Sequence, residues 1–184
     1  MNILLYIGAA IATVNLLYSS GKVLLKKAPP TRPASWLMWA VLDSLLTWAT
    51  YAAAPDKLFW LLPFGWTIGA VACMIATAIR GKWDWRWGET LCAICAGVAA
   101  YYWLTISDFA GVVAGTIALT IAGIPMAEDM FFAPIRETFP VWMLTVLACA
   151  FSVMGSDGTI LGVLIPGSSI VFNLVLCAFV VRKK

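Results

Sequence analysis

The chain has 184 residues, of which 62% are hydrophobic and only 11% are charged. A water-soluble domain carries about 25% charged residues, so this chain has too few to cover a globule in water. Its formal net charge of +3 is spread over several short segments instead of forming a basic patch, which argues against nucleic-acid binding. The composition therefore predicts an integral membrane protein with no separate soluble domain.

Seven apolar segments follow one another along the chain, separated by short polar or proline-containing breaks. A membrane-spanning helix needs about 20 predominantly apolar residues, so seven such helices fill most of the sequence. No basic residue precedes the first segment, which is therefore expected to be a retained helix and not a cleaved signal. The predicted spans are residues 3–20, 34–54, 58–80, 89–106, 109–126, 139–155 and 159–181.

Basic residues predict the orientation of the spans, because they collect in cytoplasmic loops. The second, fourth and sixth connections together carry only Lys57. The N-terminus is therefore predicted outside and the C-terminus in the cytoplasm, and the compact loops favour a bacterial inner (plasma) membrane. The cations predicted on the cytoplasmic side are Lys22, Lys26, Lys27, Arg32, Arg80, Lys82, Arg86, Arg136, Arg182, Lys183 and Lys184.

Two segments, residues 28–42 and 133–147, resemble each other without gaps. Each starts with Ala-Pro, and a methionine and a Val-Leu pair coincide further on. Each follows one span and precedes a tight turn and another span that contains a proline, Pro63 or Pro166. Two repeats in the same orientation, around an axis along the membrane normal, are a transporter architecture. The predicted units are a three-helix repeat over residues 1–82, a linker helix over 83–107 and a second three-helix repeat over 108–184.

The second span opens with Ser35-Trp36-x-x-Trp39 after a basic connection and has Trp48 and Tyr51 near its far end. Together with the three-one-three arrangement, this segment resembles the SWEET sugar transporters and the wider PQ-loop superfamily, which includes the PnuC-type vitamin transporters and the KDEL receptor. The resemblance implies an all-α polytopic membrane fold, with seven transmembrane helices in two three-helix bundles joined by a linker helix. It also implies transport of a small solute by alternating access.

Asp43 lies near the middle of the second span, where a carboxylate costs about 2.5–3.5 kcal/mol to insert. Helical spacing places it on one face with Trp36, Trp39 and Thr47, which is typical of the wall of a central pathway. Since no cation lies at the same depth, we expect Asp43 to couple transport to protons or to bind a cationic substrate. The alternative is a protonated Asp43 that only bonds a neighbouring helix.

Residues of other spans complete the predicted site. Trp66 can stack on a ring-shaped solute, although packing is the commoner role of such a residue. Asn173 is a strong group for bonding neighbouring helices, and the resemblance to SWEETs favours substrate contact instead. Asn15 is interpreted as lining an inner gate or facing the headgroups. The predicted substrate-binding residues are Trp36, Trp39, Asp43, Thr47, Trp66, Ser169 and Asn173, and the predicted hinges are Pro33, Pro63, Pro140 and Pro166.

Metal and enzyme chemistry are not expected. The chain has no histidine, which removes the commonest metal ligand and general base. Its odd number of cysteines, all in apolar segments, argues against a disulfide framework. Cys92 and Cys95 have C-x-x-C spacing, which without a second pair is a weak metal motif, so packing is favoured. We therefore expect no cofactor, no metal site and no catalytic residue.

These observations predict a transporter of a small neutral or cationic solute, sugar- or vitamin-like, that works by alternating access and is proton-linked through Asp43. The alternative is a non-transporting membrane receptor or binding protein of the same fold, which predicts binding without flux. The small-molecule substrate and membrane lipids are the expected partners. A homo-oligomer is possible if the small-residue face formed by Gly111, Ala114 and Gly115 is exposed.

Overall fold

The computed structural model describes residues 2–28, 31–132 and 138–182, and over these residues the chain is helical without any strand. The all-α class is therefore confirmed, and each predicted span coincides with helix. The helices are α1 (Asn2–Leu24), α2 (Pro33–Ala53), α3 (Leu61–Arg80, after a 3-10 turn at Leu58–Trp60), α4 (Trp87–Thr105), α5 (Asp108–Ala122), α6 (Ile124–Phe132), α7 (Phe139–Gly155) and α8 (Ile160–Val181).

Local sequence explains where several helices begin and end. α2 begins at Pro33, whose missing N–H is not needed in a first turn and whose ring holds φ near its helical value. Ser107 precedes α5, and its hydroxyl oxygen accepts the backbone N–H of Ala110 at 3.1 Å. α1 is longer than predicted: it continues to Leu24 and ends where Lys26 adopts a left-handed φ of 62°.

The first part of the fifth predicted loop, residues 128–132, is helical. The sequence predicts a loop from Glu128 onwards, but α6 continues to Phe132 with only Gly123 between it and α5. This helix packs against α8, and Arg182 donates a hydrogen bond to the carbonyl oxygen of Phe131. Tertiary contact therefore stabilises a segment whose charged sequence indicated a loop. The described residues do not include Pro29, Lys183, Lys184 or residues 133–137 of the second repeated segment, which contain Arg136 and Glu137.

Four helices in the described part of the chain are long and apolar enough to cross a membrane, namely Ile3–Leu24, Leu58–Arg80, Asp108–Phe132 and Ile160–Val181. This is consistent with an integral membrane protein. α7 is apolar but has only 17 residues, and α2 and α4 contain many tryptophan, tyrosine and polar residues. The count of seven spans stays a prediction.

Six of the longer helices form a ring, in which each helix packs against two neighbours. α1 packs against α3 and α7, α2 packs against α3 and α5, and α8 packs against α5 and α7. These contacts lead from α1 through α3, α2, α5, α8 and α7 back to α1. α4 lies outside this ring against α2 and α5, and α6 lies against α8. The space inside the ring is therefore shared by both halves of the chain.

Small residues allow the helices to approach closely, as packing in an apolar solvent requires. A Cβ added at Gly8 of α1 would lie 2.6 Å from the carbonyl oxygen of Ala148 and 2.5 Å from Oγ of Ser152, both on α7. A Cβ added at Gly69 of α3 would overlap with the side chain of Leu16 on α1. The contacts of α1 with both neighbours therefore depend on glycine at these two positions.

The small-residue face of α5 is covered by other helices of the same chain. A Cβ at Gly111 would lie 2.6 Å from Cβ of Trp103 on α4, and one at Gly115 would lie 2.8 Å from Cδ2 of Leu46 on α2. Both glycines are buried and Ala114 is half-buried. The expectation that this face is exposed is wrong, because α4 and α2 pack on it. Homo-oligomerisation stays a prediction, without this surface to support it.

We expect Gly8→Val to lower the free energy of unfolding by about 1–3 kcal/mol, because the added methyl groups overlap with α7 in a packed interface. Gly97→Val is the matched control: it places the same side chain within a helix where no atom lies within 4 Å of the added Cβ. Thermal unfolding of both variants in the same detergent measures the difference. Equal melting temperatures would contradict the close packing of α1 on α7.

Candidate functional site

A cavity of about 1320 Å³ opens at the end of the bundle where the first, third and fifth connections meet. Its walls come from α1, α2 and α3 on one side and from α6 and α7 on the other, with the start of α4 between them. Leu16, Trp39 and Cys73 belong to the lining and lie about two helical turns from the nearer ends of their helices. The cavity therefore reaches roughly 10 Å into the bundle.

Tryptophan side chains from both halves of the chain line the cavity. Trp36 and Trp39 of α2, which the sequence predicts as site residues, are joined there by Trp142 of α7. The indole N–H of Trp36 donates to Oγ1 of Thr31 at 2.7 Å, and that of Trp142 donates to Oγ1 of Thr138 at 3.0 Å. A threonine just before each helix thus holds the ring, so that α2 and α7 present aromatic surface to the same space.

Glu89 is a buried acid in the cavity wall, with 2% of its surface exposed. Its carboxylate accepts the hydroxyl of Ser35 at 2.5 Å and the backbone N–H of Arg86 at 2.8 Å. A guanidinium nitrogen of Arg32 lies 3.2 Å from the same carboxylate. These contacts join the start of α4 to the start of α2.

Glu89 is not among the predicted site residues, which include Asp43 as their single acid. A signal was available in the position of Glu89, the third residue of α4. A glutamate at that position commonly accepts the backbone N–H of the residue before the helix. Since Glu89 directly precedes the apolar part of α4, it is buried because α4 begins inside the protein.

Other charges at the mouth of the cavity are also paired. Nε of Arg86 lies 2.6 Å from Oδ2 of Asp84, in an exposed ion pair. Arg80 donates to the carbonyl oxygens of Val23 and Leu24 at 3.1 and 3.4 Å. A cation is favoured there because the last carbonyl groups of α1 carry partial negative charge.

The remaining predicted binding residues of the first half lie outside the cavity lining. Asp43 is only 3% exposed, and its Oδ1 has no hydrogen-bond partner among the described residues. The hydroxyl of Thr47 donates to the carbonyl oxygen of Asp43 at 2.7 Å and lies 3.5 Å from the hydroxyl of Thr67 on α3. Trp66 of α3 is buried as well. Asp43 lies one helical turn beyond Trp39 of the cavity wall, towards the opposite end of the bundle.

Ser169 and Asn173 are buried in α8 and do not line the cavity. The side-chain amide of Asn173 donates to the carbonyl oxygen of Ser169 at 2.7 Å, one turn back in the same helix. Within the described residues, no hydrogen bond links Asn173 to Asp43. The predicted site thus falls into a cavity part, formed by Trp36 and Trp39, and buried parts in the two halves of the chain.

Asn15 joins α1 to α7. It is 3% exposed, and its amide donates to the carbonyl oxygen of Val141 at 2.9 Å and to Oγ1 of Thr145 at 3.2 Å. The interpretation that Asn15 faces the headgroups is wrong, because the side chain is buried between two helices. Since Val141 lines the cavity, Asn15 lies directly behind the cavity wall.

Three of the four predicted hinge prolines lie in the first turns of helices. Pro33 and Pro140 are at the starts of α2 and α7, and Pro63 is the third residue of α3. A missing N–H in a first turn breaks no helical hydrogen bond. Pro166 lies inside α8, where it removes the bond to the carbonyl oxygen of Gly162 and favours bending. The hinge roles stay predictions.

An ion pair joins the two halves of the chain at the opposite end of the bundle. Nζ of Lys57, between α2 and α3, lies 3.1 Å from Oδ2 of Asp157, between α7 and α8. The hydroxyl and backbone N–H of Thr159 donate to Asp157 and, together with Lys57, lower the pKa of that carboxyl to about 2. Because this pKa is depressed, the pair is fully charged above the ordinary aspartate value. Its contribution is lost only as the pH falls through about 2.

Comparison with known proteins assigns no family. The chain matches no protein-family model, no curated protein and no solved structure. The resemblance to the SWEET transporters therefore stays a prediction, and the function has to be inferred from the geometry of this chain.

We expect Glu89→Ala to lower the free energy of unfolding by about 1–3 kcal/mol. The substitution removes the acceptor for the Ser35 hydroxyl and the Arg86 N–H, and it takes the carboxylate away from the Arg32 guanidinium. Asp84→Ala is the control, since it removes an exposed acid from an arginine at the same mouth and should cost no more than about 1 kcal/mol. Thermal unfolding in detergent compares the two variants. A larger loss for Asp84→Ala would mean that Glu89 does not connect α2 to α4.

Proposed function

We propose that this protein is a membrane transporter that moves a small solute by alternating access. The observation that carries the proposal is the cavity between the two halves of the chain, which opens at one end of the bundle. At the other end the ion pair between Lys57 and Asp157 joins the two halves. A cavity that opens at one end and ends within the bundle is what such a carrier needs in one of its states.

The contacts between helices support two equivalent three-helix units with α4 as linker, and we include all seven predicted spans in the proposal. In the first unit α3 contacts both α1 and α2, and in the second unit α8 contacts both α5 and α7. The contacts between the units match as well, because α2 packs on α5 and α7 packs on α1. Two such units can rock against each other around a shared cavity.

The orientation is part of the same proposal. Residues of the first, third and fifth connections line one cavity, so these connections lie at the same end of the bundle. Because cytoplasmic loops collect lysine and arginine, we place this end in the cytoplasm and the ion pair between Lys57 and Asp157 outside. The cavity then opens on the cytoplasmic side of a bacterial inner membrane.

Asp43 is suited to a role in coupling. A buried carboxyl oxygen without a hydrogen-bond donor is costly, so a proton or a solute group that binds there in another state would offset that cost. The hydroxyl of Thr50, on the same face of α2, also lacks a partner among the described residues. Asp43 lies about 6 Å along the helix from Trp39, so a modest rearrangement would extend the cavity to it.

We expect the protein to populate two states whose openings alternate between the ends of the bundle. Spin labels carried by a non-cysteine amino acid at Lys26 and Phe132 report the cavity end, and labels at Asp56 and Ile160 report the opposite end. The five native cysteines can then stay in place. Pulsed electron paramagnetic resonance should find two distance populations for each pair of labels.

Lys57→Gln, which removes the ion pair at the outer end, should raise the outward-open share by about two- to fivefold. The population with the shorter cavity-end distance should grow in the same proportion as the population with the longer outer distance. A single population at both ends, unchanged by Lys57→Gln, would contradict alternating access and favour the receptor interpretation.

We expect the balance between these states to change as the pH falls from neutral to about 5, and we expect Asp43→Asn to abolish that change. The same spin-label distances measure it. The pair between Lys57 and Asp157 stays charged over this range, because the pKa of Asp157 is about 2. Ser44→Ala is the control, since among the described residues the Ser44 hydroxyl bonds only to the carbonyl oxygen of Ala40 in its own helix. If Asp43→Asn keeps the wild-type pH dependence, Asp43 has no role in proton coupling.

A further inference from the structure

Most of the described cations at the cavity end surround the cavity itself. The positive-inside rule accounts for their number in these connections but not for their position around an internal space. Lys26 and Arg182 are the described cations at this end that do not line it, and the described acids in the lining are Asp84 and Glu89. The cations in the lining are Lys22, Lys27, Arg32, Arg80, Lys82 and Arg86.

The acids of the lining already have cationic partners. Glu89 is paired with Arg32 and Asp84 with Arg86, so a cationic solute would have to displace an arginine from either acid. The side chains of Lys27 and Lys82, by contrast, form no hydrogen bond, ion pair or ring contact with any described residue. Both lysines are exposed in the cavity lining. The charge available to a solute in this cavity is therefore positive.

The backbone at the cavity has the same polarity. α2 and α7 both begin there, and neither Arg32 nor Thr138, the residues before them, caps the first turn with its side chain. Uncapped N–H groups at the start of a helix favour an anion. At α4 this role is taken by Glu89, which accepts the N–H of Arg86. The helix starts thus add to the positive potential of the lysines.

The aromatic and apolar part of the lining suits a solute with a planar ring. Trp36, Trp39 and Trp142 lie in the wall, and Leu16 and Val141 add apolar surface to it. Aromatic faces stack on rings through dispersion and quadrupole interactions. The sequence predicts a neutral or cationic solute, with Asp43 as the group that would bind a cation. Asp43 does not line the cavity, so a solute that enters the cavity meets cations and tryptophans.

We propose that the solute is an anion with a ring, whose phosphate or carboxylate group binds between Lys27 and Lys82 while its ring packs against the tryptophans. This assignment rests on the proposed transport function, because it treats the cavity as the solute site. It names the chemical class of the solute and leaves the transport cycle as described.

Three ring compounds that differ in charge test the assignment: phenyl phosphate, the neutral phenyl β-glucoside and the cation benzyltrimethylammonium. Calorimetric titration into the full-length protein in nanodiscs of zwitterionic phosphatidylcholine measures binding. Phenyl phosphate should bind roughly tenfold more tightly than the other two compounds, because the contact of its phosphate with each lysine raises the affinity several-fold. Raising the salt concentration from about 0.05 M to about 0.5 M should weaken it.

The double variant Lys27→Gln with Lys82→Gln should lower the affinity for phenyl phosphate roughly tenfold and leave phenyl β-glucoside unchanged. Lys26→Gln is the matched control, since it removes a neighbouring cation that does not line the cavity. Equal or tighter binding of the neutral or cationic compound, unchanged binding by the double variant, or no binding of any ring compound would overturn the assignment.

Two further results separate this inference from the transport proposal and from lipid binding. If phenyl phosphate binds but does not leave loaded proteoliposomes, transport is wrong and the anion assignment stands. If the spin labels show two alternating states but phenyl phosphate does not bind, the anion assignment is wrong and alternating access stands. Loss of phenyl phosphate binding when phosphatidylglycerol is added would mean that a lipid headgroup occupies the cationic mouth, which would also overturn the assignment.

Discussion

For a chain whose helices are consistent with crossing a membrane, the governing constraint is that a backbone immersed in lipid must find its hydrogen-bond partners within the chain. It explains why each apolar segment is a helix and why hydroxyl groups turn back on their own helices, as Thr116 does to Val112 and Thr120 does to Thr116. Lipid provides little hydrophobic drive for helices to associate, so they are held by close contact at small residues such as Gly8 and Gly69. The ring of helices follows from such contacts, and so does the space that it encloses.

Within this framework, the polar groups that have partners and those that lack them suit different roles. Glu89, with its serine, backbone and arginine partners, connects α2 to α4. Oδ1 of Asp43 is buried and lacks a partner among the described residues, a condition that is rare in proteins. The exposed side chains of Lys27 and Lys82 also lack one. Asp43 lies deep in the bundle and the two lysines lie at its mouth. The proposed solute path therefore runs between the unpaired groups, while the paired groups hold the walls.

Individual elements show how far sequence reasoning reaches. α7 begins and ends at the predicted residues, because charged residues precede it in the sequence and Gly-Ser-Asp-Gly follows. The spacing of Trp36 and Trp39 places both on one face, and both line the cavity. α6 is missed, because its helix is stabilised by α8 and not by its own sequence. Trp142 is missed as a cavity residue, although it lies in the segment that repeats the start of the second span.

The sequence by itself determined the helical segments, the breaks between them and the collection of cations in alternate connections, since each of these follows from residues that are neighbours along the chain. The tertiary structure decided which polar groups meet. Glu89 bonds to Arg32 and Ser35 over separations of 57 and 54 residues, and Lys57 reaches Asp157 across the two halves. Such meetings depend on how each helix is rotated about its axis. Successive residues differ by about 100° in that rotation, and only packing against neighbouring helices selects it.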